Sequence, residues 1–224
     1  MAILIEAAID SAAAAERAVI EGAGRLEVCA DLDVGGLTPS LELLAECLAL
    51  GVPCVAMARP RAGDFIYGRA DLQQLMADVA TVRDAGAHGV VFGVLASDST
   101  VDREQVIKVV TMCPGFHTVF HRAFDETPDA CHALETLIEC DVTRVLTSGH
   151  ADTAADGVAA LAALVEDSAG RIEVLPGGGI RAHNVAEIVR RTGAMQVHCR
   201  GTEPGIVAAI ARRLTDLAYP PNSS

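Results

Sequence analysis

One pattern recurs along this chain and restricts its fold more than any other feature. A helix-like stretch ends at a glycine or a polar turn, and a short apolar run follows. It appears in "GAGRLEVCAD" (22–31), "GAHGVVFGVL" (86–95), "CDVTRVLTSG" (140–149) and "TGAMQVHCRG" (192–201). The runs "AILIEAA" (2–8), "PCVAMAR" (53–59), "FHTVFHR" (116–122) and "RIEVLPG" (171–177) bring the strand candidates to eight. Between them lie stretches such as "TPSLELLAECLALG" and "DLQQLMADVATVRDAG", whose apolar residues recur at helical spacing. Asp10 or Ser11 is placed to cap the first helix, and Thr38-Pro39 to open the second. Strict alternation of strand and helix predicts a parallel sheet. Eight units of about 28 residues predict a compact, closed α/β barrel of the (β/α)8 type. An open doubly wound sheet would carry G-x-G-x-x-G after its first strand, and none is there. With no linker in sight, residues 1–217 are expected to form a single domain and 218–224 a loose tail.

Composition narrows the function. The formal net charge is -13, which argues against nucleic acid and against an anionic membrane surface as partners. No apolar run reaches the roughly 18 residues of a membrane span. The seven cysteines include no C-x-x-C pair, which suits reduced thiols in the cytoplasm.

A barrel carries its chemistry on the loops after its strands. Cations gather there despite the acidic total: Arg59 and Arg61 in "ARPRAGDF", and Arg122 beside His121 and Asp125 in "VFHRAFD". Three guanidiniums at one rim would seat a carboxylate or phosphate. The alternative is internal pairing with Asp64, Asp125, Glu6 and Glu27. Gly177, Gly178 and Gly179 follow the seventh strand, offering either backbone amides to an anion or a plain tight turn. Strand periodicity puts Glu6 and Ala8, and likewise Glu27 and Cys29, on the barrel's inner face. The two glutamates are expected to face Arg59 or His121, as proton-transfer groups or as an ion-pair plug. Glu27 and His121 are the expected proton movers, with Glu6 and Asp125 completing the candidate catalytic set. His117 and His121 lie roughly 13 Å apart along a strand, too far to share a metal. A Schiff-base lysine is excluded, because the sole Lys108 falls in a helix.

Several of these stretches resemble one family. "RLEVCADLDVGGLTPS", "ARPRAGDF", "GVVFGVL", "VFHRAFD", "RVLTSG" and "PGGGI" are similar to signature segments of the CutC copper homeostasis family, in register from residue 5 to about residue 199. The resemblance implies a cytosolic, often homo-oligomeric TIM-like barrel that handles copper as Cu(I), with Cys29 as a metal ligand. It also matches Glu6, Glu27, Arg59, Arg61, His121, Arg122 and Asp125 to the family's polar set. Where the family pattern has a second cysteine, this chain has Ala8. Met57, His198 and Cys199 are the remaining candidates to complete a copper site, and weak Cu(I) binding is the expectation. The alternative is an enzyme that acts on a small anionic substrate, such as a phosphate ester, by acid–base chemistry.

Overall fold

The computed structural model describes residues 2–218. Its strands are β1 (Leu4–Ile9), β2 (Arg25–Val28), β3 (Cys54–Met57), β4 (Gly89–Phe92), β5 (His117–Phe120), β6 (Arg144–Thr147), β7 (Glu173–Pro176) and β8 (Gln196–Arg200). The helices that follow them are α1 (Ala12–Ile20), α2 (Leu41–Leu48), α3 (Arg69–Asp84), α4 (Arg103–Met112), α5 (Ala130–Glu139), α6 (Val158–Ser168), α7 (Val185–Thr192) and α8 (Ile206–Ala218). Short 3₁₀ turns at Leu32–Val34 and Arg122–Glu126 follow β2 and β5. The expected tail lies, from residue 219 on, outside the described residues.

All eight strands run parallel, in the order β7-β6-β5-β4-β3-β2-β1-β8. The first strand therefore pairs with both the second and the last, with Leu4 opposite Gln196 and Glu6 opposite Arg25. Among the described residues no ladder joins β7 to β8, so the barrel is nearly closed. Pro176, at the end of β7, has no N–H to offer a neighbouring strand. Side chains close the seam instead, with Gln196 Nε2 donating to Glu173 Oε2 at 3.1 Å.

Two residue sets alternate along the strands, as the period of two requires. Outward residues such as Ile5, Ile9, Leu26, Val28, Val90, Phe92 and Phe120 are buried under the helices in the main core. Inward residues Cys29, Val55, Met57, Val91 and Val119 form a separate small cluster inside the barrel. The first residues of four strands close the floor: Arg25 donates to Gln196 Oε1 at 2.7 Å and to Glu6, and Arg144 pairs with Glu173 at 2.5 Å. Arginines thus occupy both rims of the barrel, not only the rim after the strands. Each buried floor cation has a carboxylate beside it, which offsets its desolvation.

The helix starts follow local capping chemistry. Ser11, not Asp10, caps α1 by accepting from Ala14 N at 3.4 Å. Thr38 does not open α2, whose cap is Ser40, accepting from Leu43 N at 3.2 Å. The Thr38 hydroxyl is engaged elsewhere: it accepts from Arg59 N at 3.0 Å and donates to Asp78 Oδ2 at 2.6 Å. That tie fixes the end of β3, and with it Arg59.

Candidate functional site

A cavity of about 500 Å³ opens at the rim where the strands end. Its walls include Glu27, Met57, Arg59, His121, Arg122, Gly178, Gly179, Arg181, His198 and Arg200, with Ala8 small at its side. With Leu146 of β6, seven strands thus contribute residues at or just beyond their ends.

Arg59 is 5 % exposed. Its guanidinium donates to three carbonyls, Val34 O at 2.8 Å, Gly36 O at 3.1 Å and Gly63 O at 2.9 Å, and lies 4.9 Å from the centre of the Phe65 ring. Its Nε has no partner, and no carboxylate pairs with it among the described residues. A buried cation held only by dipoles leaves a positive field in the cavity wall. Arg122 also lines the cavity, but Asp125 Oδ2 accepts from its Nε at 2.8 Å and Ser148 Oγ accepts from its Nη2 at 2.8 Å.

Arg61 does not join them. It bonds Asp64 at 2.9 Å and Asp71 at 2.8 Å and lies over the Tyr67 ring, on the outer side of the loop after β3. Two nearby carboxylates within its own loop and helix hold it away from the cavity. Arg181 and Arg200 line the cavity in its place. Arg200 pairs with Asp33 at 2.5 Å, whereas the Arg181 guanidinium bonds only the carbonyl of Ile180 among the described residues. Sequence reading overlooked both. Arg200 was within reach of the period-two rule, two residues beyond His198 on β8. Arg181 had no such signal, because it sits in a loop.

The glycine run is divided. Gly177 donates its amide to Thr147 O at 2.9 Å and packs against Leu146 and His198, so it is part of the β6–β7 wall. Gly178 and Gly179 line the cavity with φ of 91° and 75°, a left-handed conformation that favours glycine. Their amides carry no hydrogen bond among the described residues. They do not begin a helix, since α7 starts only at Val185.

His121 is buried and its ring lies 4.7 Å from that of Phe65, tilted by 53°. Ala123 N–H donates to its Nδ1 at 3.1 Å, which puts the ring proton of the neutral form on Nε2. That Nε2 has no partner. Burial, and then the Arg59 charge, push its pKa down to about 3. His121 is thus a neutral hydrogen-bond donor at the cavity wall, and it does not face either glutamate as an ion-pair partner. Gly93 makes room for it, since a Cβ there would overlap the ring.

The two glutamates divide between floor and cavity. Glu6 is fully buried and pairs with Arg25 beneath it, and its Oε1 lies 2.8 Å from His198 Nδ1. Burial alone would raise its pKa, but the His198 hydrogen bond and the Arg25 charge hold it at about 2. Such a carboxylate is a fixed anion and a poor proton carrier. Glu27 lines the cavity, with Oε1 accepting from the Cys29 thiol at 3.4 Å and Oε2 unpartnered. Burial raises its pKa, the His198 charge opposes that in part, and neighbouring Glu6 raises it further. Both glutamates face His198, where Arg59 or His121 had been expected.

Asp125 is engaged by hydrogen bonds on both oxygens. Its oxygens accept from Thr147 Oγ1 at 2.5 Å, Ser148 N at 3.1 Å, Ser148 Oγ at 3.0 Å, His150 N at 3.2 Å and Arg122 Nε. It ties the turn after β5 to the loop after β6. Cys29 is fully buried, and burial, followed by the charge of Glu27, pushes its pKa well above the ordinary thiol value. A Cβ on Gly36 would sit 3.2 Å from Cys29 Sγ and 3.4 Å from Met57 Cε, so the two sulfur side chains border the same spot. Cys199 faces outward and packs in the main core.

These features define a (β/α)8 barrel with a cation-walled cavity at the rim where its strands end. Wider comparison gives the particular family. The family model described as CutC family matches residues 3–203. A CutC family protein of Rhizobium meliloti is 41% identical over 226 residues, covering 96% of this chain and 92% of the relative. The copper homeostasis protein cutC homolog of Mus musculus is 40% identical over 197 residues, covering 88% of this chain and 72% of its own length. The crystal structure of the CutC protein of Streptococcus agalactiae superposes with a TM-score of 0.83 at 30% identity, covering 88% of this chain and 97% of that one. The chain belongs to the CutC family.

Proposed function

We propose that this CutC-family chain serves copper homeostasis in the cytoplasm, the role for which its mouse relative is named, and that the rim cavity receives its ligand. One observation carries the copper reading: the Cys29 thiol and the Met57 side chain border one spot inside the barrel. Thiolate and thioether are the donors that Cu(I) prefers. Ala8, also at the cavity, supplies no second thiol, and the Cys29 thiol must lose its proton beside Glu27. Cu(I) binding is therefore weak. Competition against a chromophoric Cu(I) chelator should show poor retention, and Ala8→Cys should tighten it. Tight one-to-one binding that persists in Cys29→Ala overturns this site. No described helix is long and apolar enough to cross a membrane. We also expect a homo-oligomer, which size-exclusion with light scattering would measure.

A second reading has its own support. Arg59 is buried without a carboxylate, Glu27 Oε2 and His121 Nε2 lack partners, and all three residues line one cavity. That set suits an enzyme that binds a small anion such as a phosphate ester, with Glu27 moving a proton and neutral His121 donating to a developing oxyanion. Millimolar phosphate or sugar phosphates should raise the thermal midpoint by mass action. Arg181→Ala, which breaks no ion pair among the described residues, should abolish the rise. An equal rise in that variant, or none in the wild type, sinks the anion reading.

A further inference from the structure

We propose that Glu6, Glu27 and His198 form a binding site for a divalent first-row transition-metal ion at the foot of the cavity. One ligand atom from each lies within 4.8 Å of the others. Glu6 Oε1 is 2.8 Å from His198 Nδ1, and Glu27 Oε2 is 3.9 Å from the same nitrogen. Metal–ligand bonds of about 2.0–2.2 Å at tetrahedral angles place neighbouring ligand atoms about 3.3–3.6 Å apart, which these separations bracket.

A second observation points to a ligand rather than to a finished ion-pair plug. The other floor acids are satisfied: Arg25 holds the remaining Glu6 oxygen, and Glu173 accepts from Arg144 and Gln196. Glu27 is 3 % exposed, yet its Oε2 accepts no hydrogen bond. An acceptor buried without a donor is costly, and that atom is turned toward His198. A cation placed among the three atoms would satisfy it. Arg25 would then act from behind, orienting Glu6 as outer partners of metal ligands do.

The chemistry of the donors sets the class of ion. Two carboxylates and one imidazole suit Zn2+, Mn2+, Fe2+ or Cu2+, and not Cu(I), which takes thiolates. On binding, the ion would displace the proton shared by His198 Nδ1 and Glu6 Oε1, and any proton on Glu27, to solvent. No electron is transferred. Glu27, His198 and Ala8 line the cavity, so a position opposite the protein ligands stays open to a small molecule. That arrangement, three protein ligands and an open face, is the pattern of reactive rather than structural metal sites. The site shares no sulfur with the copper reading and none of the arginines of the anion reading, but it takes Glu27 as a metal ligand where the anion reading makes it the proton carrier.

The test uses the full chain with Cys131→Ser, which removes the one exposed thiol, after treatment with chelator and desalting. Titration with Zn2+, followed by metal analysis after gel filtration, should give one ion per chain. Glu27→Gln and His198→Gln should each weaken retention by at least about 100-fold, with circular dichroism confirming that the variants fold. Should a variant fail to fold, Co2+ added to the parent chain decides the matter: visible d–d bands without a thiolate charge-transfer band support the site. A thiolate band, no metal retained by the folded parent, or equal retention in the folded variants overturns it.

Discussion

At the scale of single residues, His121 shows how burial sets a chemical role. Its position after β5 gives it a backbone donor, Ala123 N–H, and a cation, Arg59, but no acid. With a pKa near 3 when folded and about 6.5 when unfolded, it takes up a proton more readily in the unfolded chain. Stability is therefore lost as pH falls from about 6.5 toward 3, by up to roughly 1.4 kcal/mol per pH unit for this group. His121→Asn keeps an acceptor for the Ala123 amide and cannot titrate. Urea midpoints measured across that range should fall less steeply in the variant, and parallel slopes would remove His121 as the source. Gly93 is the companion case. A Cβ at this position would overlap the His121 ring, so Gly93→Ala should cost about 1–3 kcal/mol. Much of that loss should return in Gly93→Ala combined with His121→Ala, a coupling that denaturation of the double mutant measures directly.

At the scale of elements, the turn after β5 and the loop after β6 behave as one unit through Asp125. Both of its oxygens accept hydrogen bonds, and one of them positions Arg122 at the cavity wall. Asp125→Asn turns one acceptor into a donor that faces N–H and O–H groups. We expect a loss of about 1–3 kcal/mol, seen as a lower thermal midpoint, and weaker stabilisation by phosphate because Arg122 is no longer held. A variant as stable as the wild type would mean that the two loops are tied by other contacts. The strand ends obey the same logic in reverse. Arg25 and Arg144 open their strands and anchor the floor, whereas Arg59 and Arg122 follow theirs and shape the cavity.

At the scale of the whole molecule, β1 lies between β2 and β8, so the first and last strands are hydrogen-bonded side by side. Cutting the chain near its middle would leave each half with an unpaired strand edge and an open core. We therefore propose that residues 1–217 unfold as one cooperative unit. Limited proteolysis should clip only beyond about residue 217, and thermal unfolding should show one transition. A stable fragment ending near mid-chain would falsify that unity.

The sequence by itself determined the barrel. The alternation of β-type runs with amphipathic stretches is a local signal, and eight such units leave few topologies open. It also determined the inner face, because period two puts Glu6, Glu27 and Cys29 on one side of their strands whatever lies opposite. Only the tertiary structure decided what lies opposite. Which groups meet across a barrel depends on strand stagger and loop path, neither of which is written in neighbouring residues. So Glu6 and Glu27 meet His198 from the last strand, Arg61 turns to Asp64 and Asp71, and Asp125 is consumed by the next loop. Arg181 enters the cavity from a loop that has no periodicity to betray it. The His198 hydrogen bond and the Arg25 charge, which keep Glu6 an anion against its desolvation, and the unmet oxygen of neighbouring Glu27 are likewise properties of the assembled core and not of the chain.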